Sequence, residues 1–363
     1  MKQFKHFFIC LMVACAFNGY AQTIRVIDAD GDPVPYVAVT TEQGKLVGTT
    51  DINGIFENTT ENTVLCLSQV AYKPLTVNLA EVVDGVVTME DADYVLPDVV
   101  VKPKELLYVQ TYYRVTYIDE EGPIYYRAGI IDNTYEFAKE KIDIKEKSIS
   151  AAQSGLLKFT LNSLAGHLIK NRCKLHKHSV YQRVNSNVGS WAKVSVATDS
   201  TGRQVISDSE SVLGYIDEDK TAGTRTVSFN EWLFYKHLEI ANEQKEKKKE
   251  KKQAELDVKE QNSEHSYFEV YRIDENGKST IGDFVMQQSL DIGVFKRTKK
   301  KYILIIESFA TETAYIDKKE YKQTRKDNDV DKSYEDLLRY EKAHSIPPLA
   351  PHLRAQIGKL FVK

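Results

Sequence analysis

Short alternations of apolar and polar side chains begin at residue 22. Ile24 and Val26, then Val37 and Val39, alternate with other side chains, the period-two pattern of strands with one dry face. Turn clusters separate them: Asp28-Ala29-Asp30-Gly31-Asp32-Pro33, Gln43-Gly44 and Asp51-Ile52-Asn53-Gly54. Val64–Leu67, Leu75–Leu79 and Val86–Met89 read as further strands. About six or seven short strands with turns at this spacing predict a β-sandwich over residues 22–92.

From Glu105 the alternation lengthens. Leu107, Val109, Thr111, Tyr113, Val115 and Tyr117 share one face of a long strand, Asp119-Glu120-Glu121-Gly122-Pro123 turns the chain, and Ile124–Ile131 returns as a hairpin. Later strands are predicted at Val194–Ala197, Ser211–Ile216, Tyr267–Ile273, Ile281–Gln287 and Tyr302–Ser308, with Asn276-Gly277 as the pivot of another hairpin. Leu157, Leu161, Leu164 and Leu168 recur at helical spacing and predict a helix over Gly155–Asn171, capped by Ser154 and laid on a sheet face. Lys332–His344 and Pro351–Phe361 read as two closing helices, split by Ile346-Pro347-Pro348-Leu349. Glu243–Glu260 is Lys/Glu sequence without an apolar stripe and reads as a solvated helix or loop. The expected fold is mainly β (α+β). A sandwich at 22–92 and a linker at 93–104 precede a larger antiparallel domain at 105–363, which carries a few helices and the charged insertion 243–262. A half-barrel like those of lipoprotein-carrier proteins is the analogy for that sheet, at the level of fold alone.

The first 21 residues have a different pattern. Lys2 and Lys5 precede an apolar run, Phe7–Ala14, shorter than the roughly 20 residues that span a bilayer. Gly19-Tyr20-Ala21 places small residues before a cut at Gln22, so residues 1–21 read as a secretory signal peptide. The alternative takes Met12-Val13-Ala14-Cys15 as a lipobox with Cys15 lipidated, Met12 standing where Leu is usual. The expected location is the periplasm or the outer membrane surface. Net charge is −3, which gives the whole chain no electrostatic footprint for nucleic acid. Tyr numbers 21 against 14 Phe, an excess that suits strands with one wet and one dry face. Cys66 and Cys173 lie beyond the leader; they are read as two buried thiols in preference to one bridge.

Val26, Asp28, Gly31, Pro33, Val34, Ala38, Val39 and the run Gly48-Thr49-Thr50-Asp51-Ile52-Asn53-Gly54-Ile55-Phe56 carry a family likeness. Residues 22–92 resemble the carboxypeptidase regulatory-like domain, a transthyretin-like sandwich common in Gram-negative envelope proteins. The resemblance implies an interaction or folding module and not a catalyst. Leu96-Pro97-Asp98-Val99-Val100-Val101 is similar to the connector that follows such domains in TonB-dependent receptors, with Asp98 where Glu is usual. No plug-like sequence follows, and the remaining chain is too short for a large outer-membrane barrel. A carboxypeptidase's His-x-x-Glu with a later His is also missing.

Candidate chemistry is sparse. Asp28, Asp30 and Asp32 match the first ligand positions of a calcium loop, but Pro33 and Val39 stand where Gly and Glu are needed, and a plain turn is the preferred reading. Cys173, His176 and His178, with His167 upstream, form the densest set of metal-capable side chains; Arg172, Lys174 and Lys177 oppose a cation there. No Gly-x-Ser-x-Gly elbow or phosphate loop occurs. Tyr108, Tyr112 and Tyr126 belong to a tyrosine-rich hairpin whose rings, if exposed, form a platform for sugars or an apolar chain; ordinary sheet packing is the competing reading. No cofactor is called for. The function expected is a non-enzymatic envelope protein that binds a partner protein, a glycan or a lipid-like ligand, with peripheral membrane association compatible. A hydrolase built from scattered residues and a structural envelope component are the alternatives. Mass spectrometry of the mature chain should find Gln22 at its N-terminus; a lipid-modified Cys15 there supports the lipobox instead.

Overall fold

The computed structural model describes residues 22–60, 62–92, 105–153, 172–176, 179–236, 264–294, 300–324 and 333–361. The leader, the connector 93–104, the helix expected at Gly155–Asn171 and the Lys/Glu stretch Glu243–Glu260 lie outside the described residues.

Residues 22–92 contain seven strands: β1 (Gln22–Ile27), β2 (Ala38–Thr40), β3 (Leu46–Thr49), β4 (Ile55–Asn58), β5 (Val64–Ser68), β6 (Leu75–Asn78) and β7 (Val86–Thr88). They form a three-stranded sheet, β4-β1-β7, and a four-stranded sheet, β3-β2-β5-β6. Ile24, Val26, Phe56 and Val87 from the first meet Val39, Leu65 and Leu67 from the second in one core, which makes the pair a sandwich. The turn into β4 requires glycine. Gly54 has φ +72°, and a Cβ on it would sit 2.4 Å from the Val26 carbonyl oxygen.

The larger unit is one antiparallel sheet. Its strands are β8 (Leu106–Asp119), β9 (Gly122–Glu136), β10 (Lys141–Gln153), β11 (Ser195–Thr198), β12 (Gln204–Ser207), β13 (Val212–Asp219), β14 (Thr224–Asn230), β15 (Glu264–Arg272), β16 (Phe284–Val294) and β17 (Lys301–Ile316). Their order is β10-β9-β8-β17-β16-β15-β14-β13-β12-β11, ten strands that do not close into a barrel. The long hairpin forms as expected, with the Asp119 carboxylate accepting from the Glu121 N–H at 2.7 Å in its turn. Three strands, β10, β12 and β14, were not foreseen. β10 is an edge strand whose first half carries Lys141, Asp143, Lys145, Glu146 and Lys147, the kind of charge that keeps an edge from pairing with other chains, and those charges obscure Ile142 and Ile144. Ile281–Asp283 is a 3₁₀ turn, so β16 begins later than the alternation suggested.

Both faces of the central strands are buried; β8 has a single partly exposed residue, Gln110. On one face, Tyr113, Val115, Leu304 and Ile306 pack with Cys173. The opposite face carries two caps side by side. One is the sandwich, through Tyr36, Ala38 and Val70. The other is the C-terminal helix pair. Four described helices are numbered in chain order: α1 (Val180–Val184), α2 (Lys318–Thr324), α3 (Tyr334–Ala343) and α4 (Pro351–Phe361). Helix α3 starts at a reciprocal cap between Ser333 and Asp336, and buries Leu337; α4 buries Leu353, Ile357 and Leu360. The Gln288 carboxamide fixes the sandwich, accepting from the Val70 N–H at 3.1 Å and donating to the Tyr36 carbonyl at 3.3 Å. The caps touch each other where the His352 ring of α4 meets the Thr40 hydroxyl of β2 at 2.9 Å.

Arg114 of β8 anchors the helical cap. It is 2% exposed and makes a two-pronged pair with Glu307 of β17, with Nη2 to Oε1 at 3.0 Å. Its Nη1 donates to the Pro347 carbonyl at 2.8 Å and to Glu341 of α3 at 3.4 Å. The Tyr112 hydroxyl also donates to Glu341, at 2.7 Å. Removing the guanidinium takes from the buried Glu307 the partner it has among the described residues and leaves Glu341 with Tyr112 and Arg354. Arg114→Ala should destabilise the fold by about 3–5 kcal/mol in urea titration; a loss below about 1 kcal/mol rejects the anchoring role.

Candidate functional site

The two caps leave a groove between them, about 690 Å³ in volume. Its apolar lining is Pro74 from the sandwich, Leu338 from α3, and Ile346, Pro347 and Pro348 from the link between α3 and α4. The local sequence explains this wall. Leu337 and Leu338 are adjacent, so when Leu337 points into the core Leu338 takes a neighbouring flank of the helix. Helix α3 stops at His344, and Ser345 turns left-handed at φ +54°. The two prolines cannot extend the helix and keep the link open until Pro351 begins α4.

Charged residues rim the groove: Lys73, Arg339, Lys342 and Arg354 against Glu335 and Glu341. Lys73 pairs with Glu90 at 3.5 Å, and Arg339 with Asp336. Arg354 meets Glu341 at 3.3 Å, with Glu341 already held by Arg114 and Tyr112. Lys342 is exposed and has no acidic partner among the described residues. An apolar lining with an unevenly basic rim is suited to holding a ligand, and among the described residues the Ser345 hydroxyl that lines it has no base hydrogen-bonded to it.

A second cavity, about 240 Å³, lies between the sandwich and the sheet and touches Asp51 and His265. This is the place where convergent polar groups most resemble catalytic machinery, and both are structurally committed. The Asp51 carboxylate accepts from the Asn53 and Ile55 N–H groups at 2.9 and 2.8 Å, holding its own turn. The His265 ring meets Asp291 and the Arg172 guanidinium, and Arg172 pairs with Asp291 at 2.9 Å. His265, Asp291 and Arg172 bind the segment at 172–176 to β15 and β16.

The tyrosine platform is not available. Tyr108, Tyr112 and Tyr126 are at most 1% exposed. Tyr108 is covered by Tyr321, Tyr112 by Tyr340, and Tyr126 by Tyr334 and Phe361. The helices supply that cover, because the sheet needs both faces dry. Cys173 packs in the apolar core, where burial pushes its thiol up to about 12, so the thiolate a metal needs is disfavoured. Burial, then Arg183 and Lys174, push His176 down to about 4. His178 and His167 lie outside the described residues. Among the described residues no three His, Cys, Asp or Glu side chains gather as a metal site. In the acidic turn, Asp28 accepts from the Asp30 and Asp32 N–H groups at 3.0 and 2.9 Å and so closes the turn itself. Cys66 and Cys173 are both free and buried. The groove residues went unrecognised in the sequence. The available signal was Ile346-Pro347-Pro348 after a doubled leucine, an apolar break between helices that each already had a buried stripe.

No family model matches the chain, and no curated protein matches it. Six chains of solved structures match, among them one described as "Lipid-protein interactions in lipovitellin", similar at a TM-score of 0.27 and 8% identity over 59% of this chain. The match spans 26% of that protein's chain. A likeness this slight assigns neither fold nor ligand.

Burial holds both His176 and His352 below the ordinary histidine value of 6.5. The unfolded chain therefore binds more protons than the folded one below that pH. Stability from the neutral rings is full above pH 6.5 and is lost as pH falls toward 4. His176→Gln should flatten this acid limb relative to the parent in urea titrations between neutral pH and about pH 4.5. An unchanged slope removes His176 from the account.

Proposed function

We propose that this chain is an exported, non-enzymatic protein of the cell envelope that binds a ligand or partner in the groove between its sandwich and its C-terminal helices. The observation that carries the reading is the groove itself, about 690 Å³ with an apolar floor and a basic rim. The polar clusters elsewhere support it from the other side: His265, Asp291 and Asp51 are tied into structural bonds and offer no poised acid or base. Export rests on the signal-like leader, and the role of the sandwich as a binding or assembly module rests on its likeness to regulatory-like domains. In this reading the sandwich contributes one wall of the site.

Native mass spectrometry of protein purified from an envelope fraction should find a co-purifying species. Leu338→Glu, which places a charge on the groove flank, should strip it while leaving the melting temperature within a few degrees of the parent. Turnover of an ester, glycoside or peptide substrate that a groove substitution abolishes makes the protein a hydrolase instead.

A further inference from the structure

We propose that the groove takes a long-chain carboxylate, an anionic amphiphile of the fatty-acid type, with its head on Arg354 and Lys342 and its chain along Leu338, Ile346, Pro347 and Pro74. This rests on the groove reading above and gives it a ligand class.

Arg354 carries the first part of the inference. A guanidinium has five N–H donors in a planar fork. Its hydrogen bond to protein runs from Nη2 to Glu341, 3.3 Å long, and the guanidinium makes no other among the described residues. The side chain keeps 39% exposure. Glu341 cannot turn fully to Arg354, because the Tyr112 hydroxyl and Arg114 already hold its carboxylate. An arginine left half-satisfied at the rim of an apolar groove calls for an acceptor that can take two parallel hydrogen bonds, and a carboxylate is that acceptor.

Charge and lining fix the rest. Of the four basic side chains, Lys73 and Arg339 pair with Glu90 and Asp336, and of the two acids Glu341 is held inside the fold, which leaves Lys342 and Arg354 against Glu335. The rim therefore favours an anion over a cation. No aromatic ring lines the groove among the described residues, which removes the stacking surface a glycan uses. Prolines, leucine and isoleucine offer smooth apolar contact without hydrogen-bond direction, which fits a hydrocarbon chain. The volume lies in the range of small-ligand sites.

The test is displacement of a fluorescent fatty acid from the full mature chain. Palmitate should displace the probe, and methyl palmitate, of the same chain but uncharged, should do so at least about tenfold more weakly. Arg354→Gln should cost palmitate about tenfold and leave the ester unchanged. Lys342→Gln changes an exposed side chain and poses no threat to the fold; it should weaken palmitate several-fold, an effect that added salt erases. Equal binding of acid and ester overturns the carboxylate anchor. If no amphiphile binds, yet Leu338→Glu still strips a co-purifying species from the parent, the ligand class is wrong and the groove reading stands. If neither is seen, both fall.

Discussion

Burying Arg114 sets the terms for the rest of the sheet. A guanidinium taken out of water must be met by acids and carbonyls, or the fold loses more than the surrounding packing returns. Glu307 meets it from the neighbouring strand, and Glu341 and the Pro347 carbonyl meet it from the helical cap. The charge thus specifies which helix lies on the sheet and in what register, a choice that apolar contacts alone leave loose. Leu337, Leu353 and Ile357 are buried by contacts that carry no direction, whereas the bond between Arg114 and Glu341 carries one.

The sandwich solves the same problem on the same face with a neutral group. Gln288 offers one acceptor and one donor, and the Val70 N–H and Tyr36 carbonyl match both. Two caps, each held by its own polar clasp, meet edge to edge above a continuous floor. Rounded bodies placed side by side do not fill the angle between them, and the groove is that angle. Its apolar lining follows from position: Ile346 reaches it from the edge of the core, while Leu338 and Pro74 are half-buried beside it.

Alternation made much of the sheet readable from sequence. The hairpin at Leu107–Ile131, the strand near Tyr302–Ser308 and the closing helix Pro351–Phe361 were all legible, since one periodicity dominates each. β10 was not, because an edge strand wears charge as protection and hides its period. The tyrosines show the opposite limit. Period two correctly separates Tyr113 and Tyr117 from Tyr108 and Tyr112, yet it cannot tell whether the second face is wet. That depended on helices more than 200 positions away, as the Tyr112 bond to Glu341 spans 229 residues. The groove was illegible for a related reason: its walls come from distant segments and carry no spacing of their own.

The contact between Thr40 and His352 joins positions 312 residues apart. Contacts of such reach are entropically late, since the intervening loop must be closed before they return anything. The sandwich, with its short-range hairpins, is able to collapse early; the cleft it shares with the last helices is among the final features to take shape. Any occupancy of that cleft would thus report completed assembly, since a partly folded chain has yet to build it.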